Sequence, residues 1–313
     1  MNTPGAIHTP REFAEVLCVS FALIATAMFT THPIVSASAA ICTLVYAFFS
    51  IERLRVDGDY WGHLLPGAAM VRISFMVLFG DGGALVTTSW VTPALGACTF
   101  AAIGLIQWFD IGARTFSHKV HLLIYILCFL YTLSAAIGTC AHVNTASRRE
   151  AHALTPAGLA TLSPRIVLDC FILTSLGLLF AAHRHTQGAV QVTHHVVLAV
   201  MLLSLGPMQL IAAAVHLVLP RNAPLSVLSR SLHALNWLVL GVWLCQMSAL
   251  FYVFRVKEGL WTARLVPTVG DDARATEEAL TYLAFDLVMC AAAVSLMQHV
   301  STPKRDGFER LPG

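Results

Sequence analysis

Charge is what this chain has least of. Asp, Glu, Lys and Arg make up 12% of its 313 residues against 57% hydrophobic residues, and the mean hydropathy is +0.72. A soluble domain carries about 25% charged residues, so a sizeable soluble domain is not expected. Lysine is scarcest, with only Lys119, Lys257 and Lys304, all near loops or ends of apolar runs. A net charge of +2 without a dense basic block argues against nucleic-acid binding. The chain also lacks any Cys-x-x-Cys pair and any Asn-x-Ser/Thr sequon. Its eight cysteines (Cys18, Cys42, Cys98, Cys128, Cys140, Cys170, Cys245 and Cys290) lie in or beside apolar runs. That placement suits small packing residues better than a disulfide framework or a zinc site. Walker A, GxGxxG, HExxH and GxSxG signatures are missing too. The expectation is therefore a non-enzyme, with no catalytic residue, metal or cofactor assigned.

What the chain has is long uncharged runs. Val16 to Ile51 contains no Asp, Glu, Lys or Arg, and Thr30-Thr31-His32-Pro33 divides it into two spans near 13–30 and 33–51. The run before Ser36-Ala37-Ser38-Ala39 exceeds the roughly 7–15 residues of a signal-peptide core, so it reads as a retained first span. Small residues such as Ser36 and Ala40 suit close packing of this hairpin. A charged turn, Glu52 to Asp59, leads to Tyr60 and Trp61 at headgroup level. The third segment, about 64–80, holds Pro66, Gly67 and Arg72 and is short for the roughly 20 residues of a span, leaving crossing, re-entrant and interfacial readings open. Gly82 to Phe109 is a span with a small-residue stripe of Gly96, Ala97, Ala101 and Gly104, and Val120 to Ala141 follows.

Residues 142–162 form a loop dividing two helix groups, 1–141 and 163–300, of one integral membrane domain covering 1–313. Further spans are expected at Ile166 to Ala182, at Thr193 to Leu219 with a kink at Gly206-Pro207, and at Ser231 to Phe254. Pro220 and Pro224 are expected to close the second of these. A charged loop, 255–278, precedes the last span, Glu278 to Val300. The fold class is all-α: a polytopic transmembrane bundle of eight or nine helices. With nine, ten Lys/Arg fall on the N-terminal side and eight on the other, with Arg72 inside, and the first loops favour a cytoplasmic N-terminus. Leu44, Tyr46, Phe48, Glu52 and Leu54 recur at one offset as Leu250, Tyr252, Phe254, Glu258 and Leu260. Repeats are typical of transporters, but aromatics followed by charge are also the norm at span ends.

Three ionisable residues fall inside spans: Arg72, Asp169 and Asp286. Each costs about 2.5–3.5 kcal/mol at the bilayer centre on insertion scales, so each needs a partner or water. They form the candidate charged centre, with Asp286 as carrier and Arg72 as the group tuning it. The rival reading is a structural pair that fixes packing. Gln209, His216, Asn236 and Gln246 are candidate polar lining, with interhelical hydrogen bonding as their default use. Among fourteen histidines, His118/His121, His183/His185 and His194/His195 stand close together. Their positions near span ends favour interfacial side chains over a metal or haem site.

The last span reads Tyr282-Leu-Ala-Phe-Asp286-Leu-Val-Met-Cys290. It resembles the final helix of microbial rhodopsins, where an Asp precedes the retinal-binding Lys by four residues, on one helix face. Heliorhodopsins offer a further likeness through Ser248-Ala-Leu-Phe-Tyr-Val-Phe-Arg-Val-Lys-Glu-Gly-Leu-Trp261. The resemblance covers the last seven segments and implies a seven-helix bundle following two extra helices. Cys290 occupies the lysine position, which excludes a retinal Schiff base in that helix. The functional expectation is a multi-pass membrane protein that moves or senses a small solute or proton. The alternatives are a structural component of a membrane complex or envelope, and a rhodopsin-like relative without chromophore. Expected partners are the lipid bilayer and either membrane-protein partners or further copies of the chain.

Overall fold

The computed structural model describes residues 10–29, 33–54, 58–79, most of 94–105, 116–145, 164–182, 189–220, 223–249 and 272–301. The helices are α1 (Pro10–Phe29), α2 (Pro33–Leu54), α3 (Gly58–Phe79), α4 (Phe116–Thr145), α5 (Pro164–Ala182), α6 (Ala189–Val218), α7 (Pro224–Ser248) and α8 (Asp272–Ser301). The described residues of 94–105 are helical as well, and no strand occurs among the described residues. Five helical stretches are long and apolar enough to cross a membrane: Tyr60–Phe79, Lys119–Ile137, Val192–Val215, Pro224–Ser248 and Ala279–His299. Cys18–Ala27, Ser38–Ala47 and Ile166–Ala182 are shorter apolar helices. These features are compatible with a multi-pass membrane protein.

Four helices begin on proline: α1, α2, α5 and α7. Proline suits the first turn because the amide it lacks has no partner there and its φ is already helical. This corrects the placement of Pro224, which opens α7 instead of closing the helix before it. Ala223 just ahead of it is extended, with φ −61° and ψ 140°. It also moves the start of that helix forward from Ser231. The charged stretch before the last span is likewise partly helical, since α8 begins at Asp272. The rest of the 255–278 loop, the 146–163 linker, most of Gly82 to Phe109, His183 and His185 lie outside the described residues.

The third segment was the weakest span in the sequence, yet among the described residues α3 forms the most extensive helix pair, with α7. Its lower cluster joins Tyr60, Trp61, Leu64 and Ala68 to Ile24 of α1 and Ala47 of α2. At its far end Leu78 enters the main core with residues of α4 to α8. Trp61 Nε1 donates to Ser50 Oγ on α2 at 2.8 Å, and Ser50 donates on to Ala47 O. The aromatic pair placed at headgroup level on sequence grounds is thus buried, clasping α3 to the α1–α2 hairpin.

Along its other side α3 lies antiparallel against α7 with backbones in contact. A Cβ at Gly241 would sit 2.6 Å from Gly67 O, and one at Gly67 would sit 2.8 Å from Gly241 O. Ser74 Oγ donates to Ala234 O at 2.6 Å at one end of this seam, and Ser248 Oγ donates to Tyr60 O at 2.9 Å at the other. Small residues that let backbones meet, with hydroxyls bonded across, are what holds helices together where lipid removes the hydrophobic drive. A second close pair is α5 and α6, where Gly206 abuts Cys170 O and Gly177 abuts Leu203. The helix runs through Gly206-Pro207 without interruption. The small-residue stripe of 94–105 meets α4, with Gly96 beside Thr132 and Gly104 beside Tyr125 and Leu122.

Candidate functional site

α8 turns one face to protein and leaves an apolar face exposed. Phe285, Leu287, Val288 and Met289 are all exposed, while Ala279, Asp286, Cys290 and Val294 are buried. The buried set recurs at intervals of four and seven residues, one stripe on the helix. That stripe packs against α6 and α7. Asp286 is 6% exposed, and its Oδ2 is enclosed without a hydrogen-bond partner among the described residues. Cys290, one turn on, is also buried beside it.

The start of α7 lies against the end of α8, where Gln298 Nε2 donates to Ser231 Oγ. Twelve residues back along α8 and twelve forward along α7 bring Asp286 level with Trp243 and within one turn of Gln246. Gln246 Oε1 is a second enclosed acceptor without a hydrogen-bond partner among the described residues. Trp243 is fully buried; its Nε1 donates to His194 O at 3.2 Å, and its ring stacks on that of His194 at 5.0 Å. Adjacent residues on a helix point about 100° apart, so the His194-His195 pair serves two neighbours. His195 meets His63 of α3 edge-on at 5.8 Å and stacks on Phe180 of α5 at 6.1 Å. One level of the bundle therefore joins His63, His194, His195 and Trp243, with Gln246 and Asp286 at about the same height on α7 and α8.

This layer corrects the expected water access of His194 and His195, though both do stand near the start of the candidate span Val192–Val215. They are 1% and 2% exposed, because α6 starts at Ala189 and carries them a turn and more into the bundle. The sequence signal was the adjacent pair itself; His63 had none. Among the described residues no group of three or more His, Cys, Asp or Glu is placed to hold a metal ion.

The three ionisable residues singled out from the sequence are held in different helix pairs. Arg72 Nη1 donates to Ala27 O of α1 at 3.5 Å. Asp169 is buried and accepts a 2.9 Å hydrogen bond from Ser134 Oγ, tying α5 to α4. Asp286 faces α6 and α7, and neither α1 nor α3 forms a packed pair with α8. Of the polar lining, Asn236 Nδ2 donates to Ser204 Oγ and to Met208 Sδ, both at 3.1 Å, which joins α7 to α6. Gln209 Oε1 is enclosed without a hydrogen-bond partner among the described residues, towards the opposite end of α6 from His194. The His216 side chain lies outside the described residues, as do the residues beyond Ala249 that carry the heliorhodopsin likeness and the internal repeat.

Compared with known proteins, the chain matches no family model and no curated protein.

Proposed function

We propose that this protein moves a proton, or a small solute coupled to one, across a membrane, with Asp286 as the group that takes up and releases the proton. The observation that carries this reading is the enclosed Oδ2 of Asp286 on the α6/α7 face. An ionised carboxylate without donors is among the costliest groups to enclose, so the side chain needs a proton, a cation or water there. A carboxyl that holds a proton when sheltered and loses it when wetted is a carrier. Gln246 Oε1, a second unsatisfied acceptor at about the same height on α7, offers a place for the water or solute that exchange requires. Arg72 and Asp169 enter as packing groups, each bonded to a neighbouring helix.

The test is flux in liposomes loaded with a pH-sensitive dye. The wild type is expected to dissipate an imposed proton gradient, and Asp286→Asn, which keeps shape and loses the titrating group, is expected to abolish that. Unaltered flux in the variant removes Asp286 from the role. No flux in either protein, together with a stable membrane partner on purification, supports the scaffold reading instead.

A further inference from the structure

Three imidazoles enter the bundle at one end, and the carrier role proposed for Asp286 leaves them unused. Ser248 Oγ near the end of α7 donates to Tyr60 O near the start of α3, and Trp243 Nε1 donates to His194 O near the start of α6. Gln298 near the end of α8 donates to Ser231 near the start of α7. The starts of α3, α6 and α8 and the end of α7 therefore share one end of the bundle. His63 is the fourth residue of the candidate span Tyr60–Phe79 and His195 the fourth of Val192–Val215, each about 5 Å in at ~1.5 Å per residue. Asp286 is the eighth residue of Ala279–His299, about 10 Å in. The histidines thus stand nearer that end than the acid does.

Their burial is graded in the same direction. His63 is partly exposed, and Gly62 beside it is exposed with nothing within 4 Å of where a side chain would begin. His195 and His194 are closed off. The rings of His63 and His195 have centroids 5.8 Å apart and planes at 83°. From there a modest rotation brings a nitrogen of one ring to the other, directly or through a single water. His194 precedes His195 on α6 and stacks on Trp243, the α7 residue level with Asp286. Phe180, stacked on His195, and Trp243 wall the two inner rings with aromatic carbon. Ionisable residues within spans are costly to keep, and chains of histidines and acids mark proton relays.

We infer that His63, His195 and His194 relay protons between this end of the bundle and Asp286, with His63 as the mouth. The inference rests on the reading of Asp286 as the proton carrier. Each imidazole takes the incoming proton on one ring nitrogen and releases the proton held on the other. One N–H bond forms as another breaks, no electron is transferred, and a turn of the ring restores the starting tautomer. At the inner end the Asp286 carboxylate becomes the acid.

The test adds histidine variants to the liposome flux assay. His63→Gln and His195→Gln keep a hydrogen-bonding side chain that cannot shuttle. Each is expected to slow proton flux about 100-fold, the lower end of what a positioned proton-transfer group contributes. His233→Gln, whose ring accepts from Trp237 Nε1 in the first half of α7, is expected to leave flux at the wild-type rate. His63→Ala supplies a readout that a packing role would not move: external imidazole is expected to restore its flux, and to restore none in Asp286→Asn. Melting temperature in detergent identifies any variant that fails to fold, and His63, at the partly exposed mouth, carries the test if the His195 variant does. Wild-type flux in folded His63→Gln, or no rescue of His63→Ala by imidazole, overturns the relay, while loss of flux in Asp286→Asn keeps the carrier reading. Flux that survives Asp286→Asn, or no flux in the wild type, overturns that reading and the relay with it.

Discussion

The α3/α7 seam and the α7/α8 seam share one helix and are built on opposite terms. Along α3, backbone meets backbone at Gly67 and Gly241, and a serine at each end donates to a carbonyl across the interface. Along α8, Gln298 donates to Ser231, a groove opens beside that bond, and an acid is enclosed with an acceptor oxygen unmatched among the described residues. The contrast separates holding from working. A seam in which backbones touch and polar groups are bonded has little left to rearrange. A seam with an unmatched carboxyl and open volume can take up a proton or a water without dismantling the bundle.

The strongest way to break the comparison is to thicken the α3/α7 seam. Gly241→Ala places a methyl against Gly67 O and Val71 N, backbone atoms that cannot swing aside. It is expected to cost about 1–3 kcal/mol, as overpacking does, read as a lower melting temperature in detergent. Gly62→Ala, on the same α3 but with nothing within 4 Å of the added carbon, is the control and should hold or raise stability by up to ~1 kcal/mol. Equal losses at both sites would mean that close approach is not what the glycines provide.

Removing the seam's hydroxyls should do less. Ser74→Ala and Ser248→Ala each delete one bond to a carbonyl across the interface, with an expected cost of about 0.6 kcal/mol apiece in thermal or denaturant unfolding. The two lie at opposite ends of the seam, so their effects should add in the double variant. Smallest of all should be Asp286→Leu. Replacing an enclosed, unmatched acid with an aliphatic side chain is expected to leave stability unchanged or raised, while Asp286→Asn abolishes flux. A marked loss of stability in Asp286→Leu would make the acid a structural group like Asp169, which Ser134 holds.

Much of this was legible from residue order, and the failures have physical causes. The all-helical class, the hairpin split at Pro33 and the enclosure expected of a mid-span Asp286 follow from hydropathy and from proline chemistry. The importance of α3 did not. Pro66, Gly67 and Arg72 lower its hydropathy, and each reads as a defect until the partner helix is known. Gly67 is then the contact point with Gly241, and Arg72 turns to the Ala27 carbonyl. Pro224 was misplaced because proline marks the start of a helix as readily as the end of the one before. The histidine layer was hidden for another reason: His63 and His195 lie 132 positions apart, and only the fold brings their rings together. The pairing of Arg72 with Asp286 suggested itself from charge alone, which carries no information about which helices touch.

The sheltered, proton-bearing state proposed for Asp286 can be tested directly with carbodiimides on liposome-embedded protein, followed by mass spectrometry of the Asp286 peptide. These reagents attack the protonated carboxyl. The account predicts an adduct at Asp286 with a hydrophobic carbodiimide, more of it as pH falls, little with a water-soluble one, and none in Asp286→Asn. Equal labelling by both reagents would put the carboxyl in bulk water, and labelling by neither would deny it an exchangeable proton; either result would contradict the account.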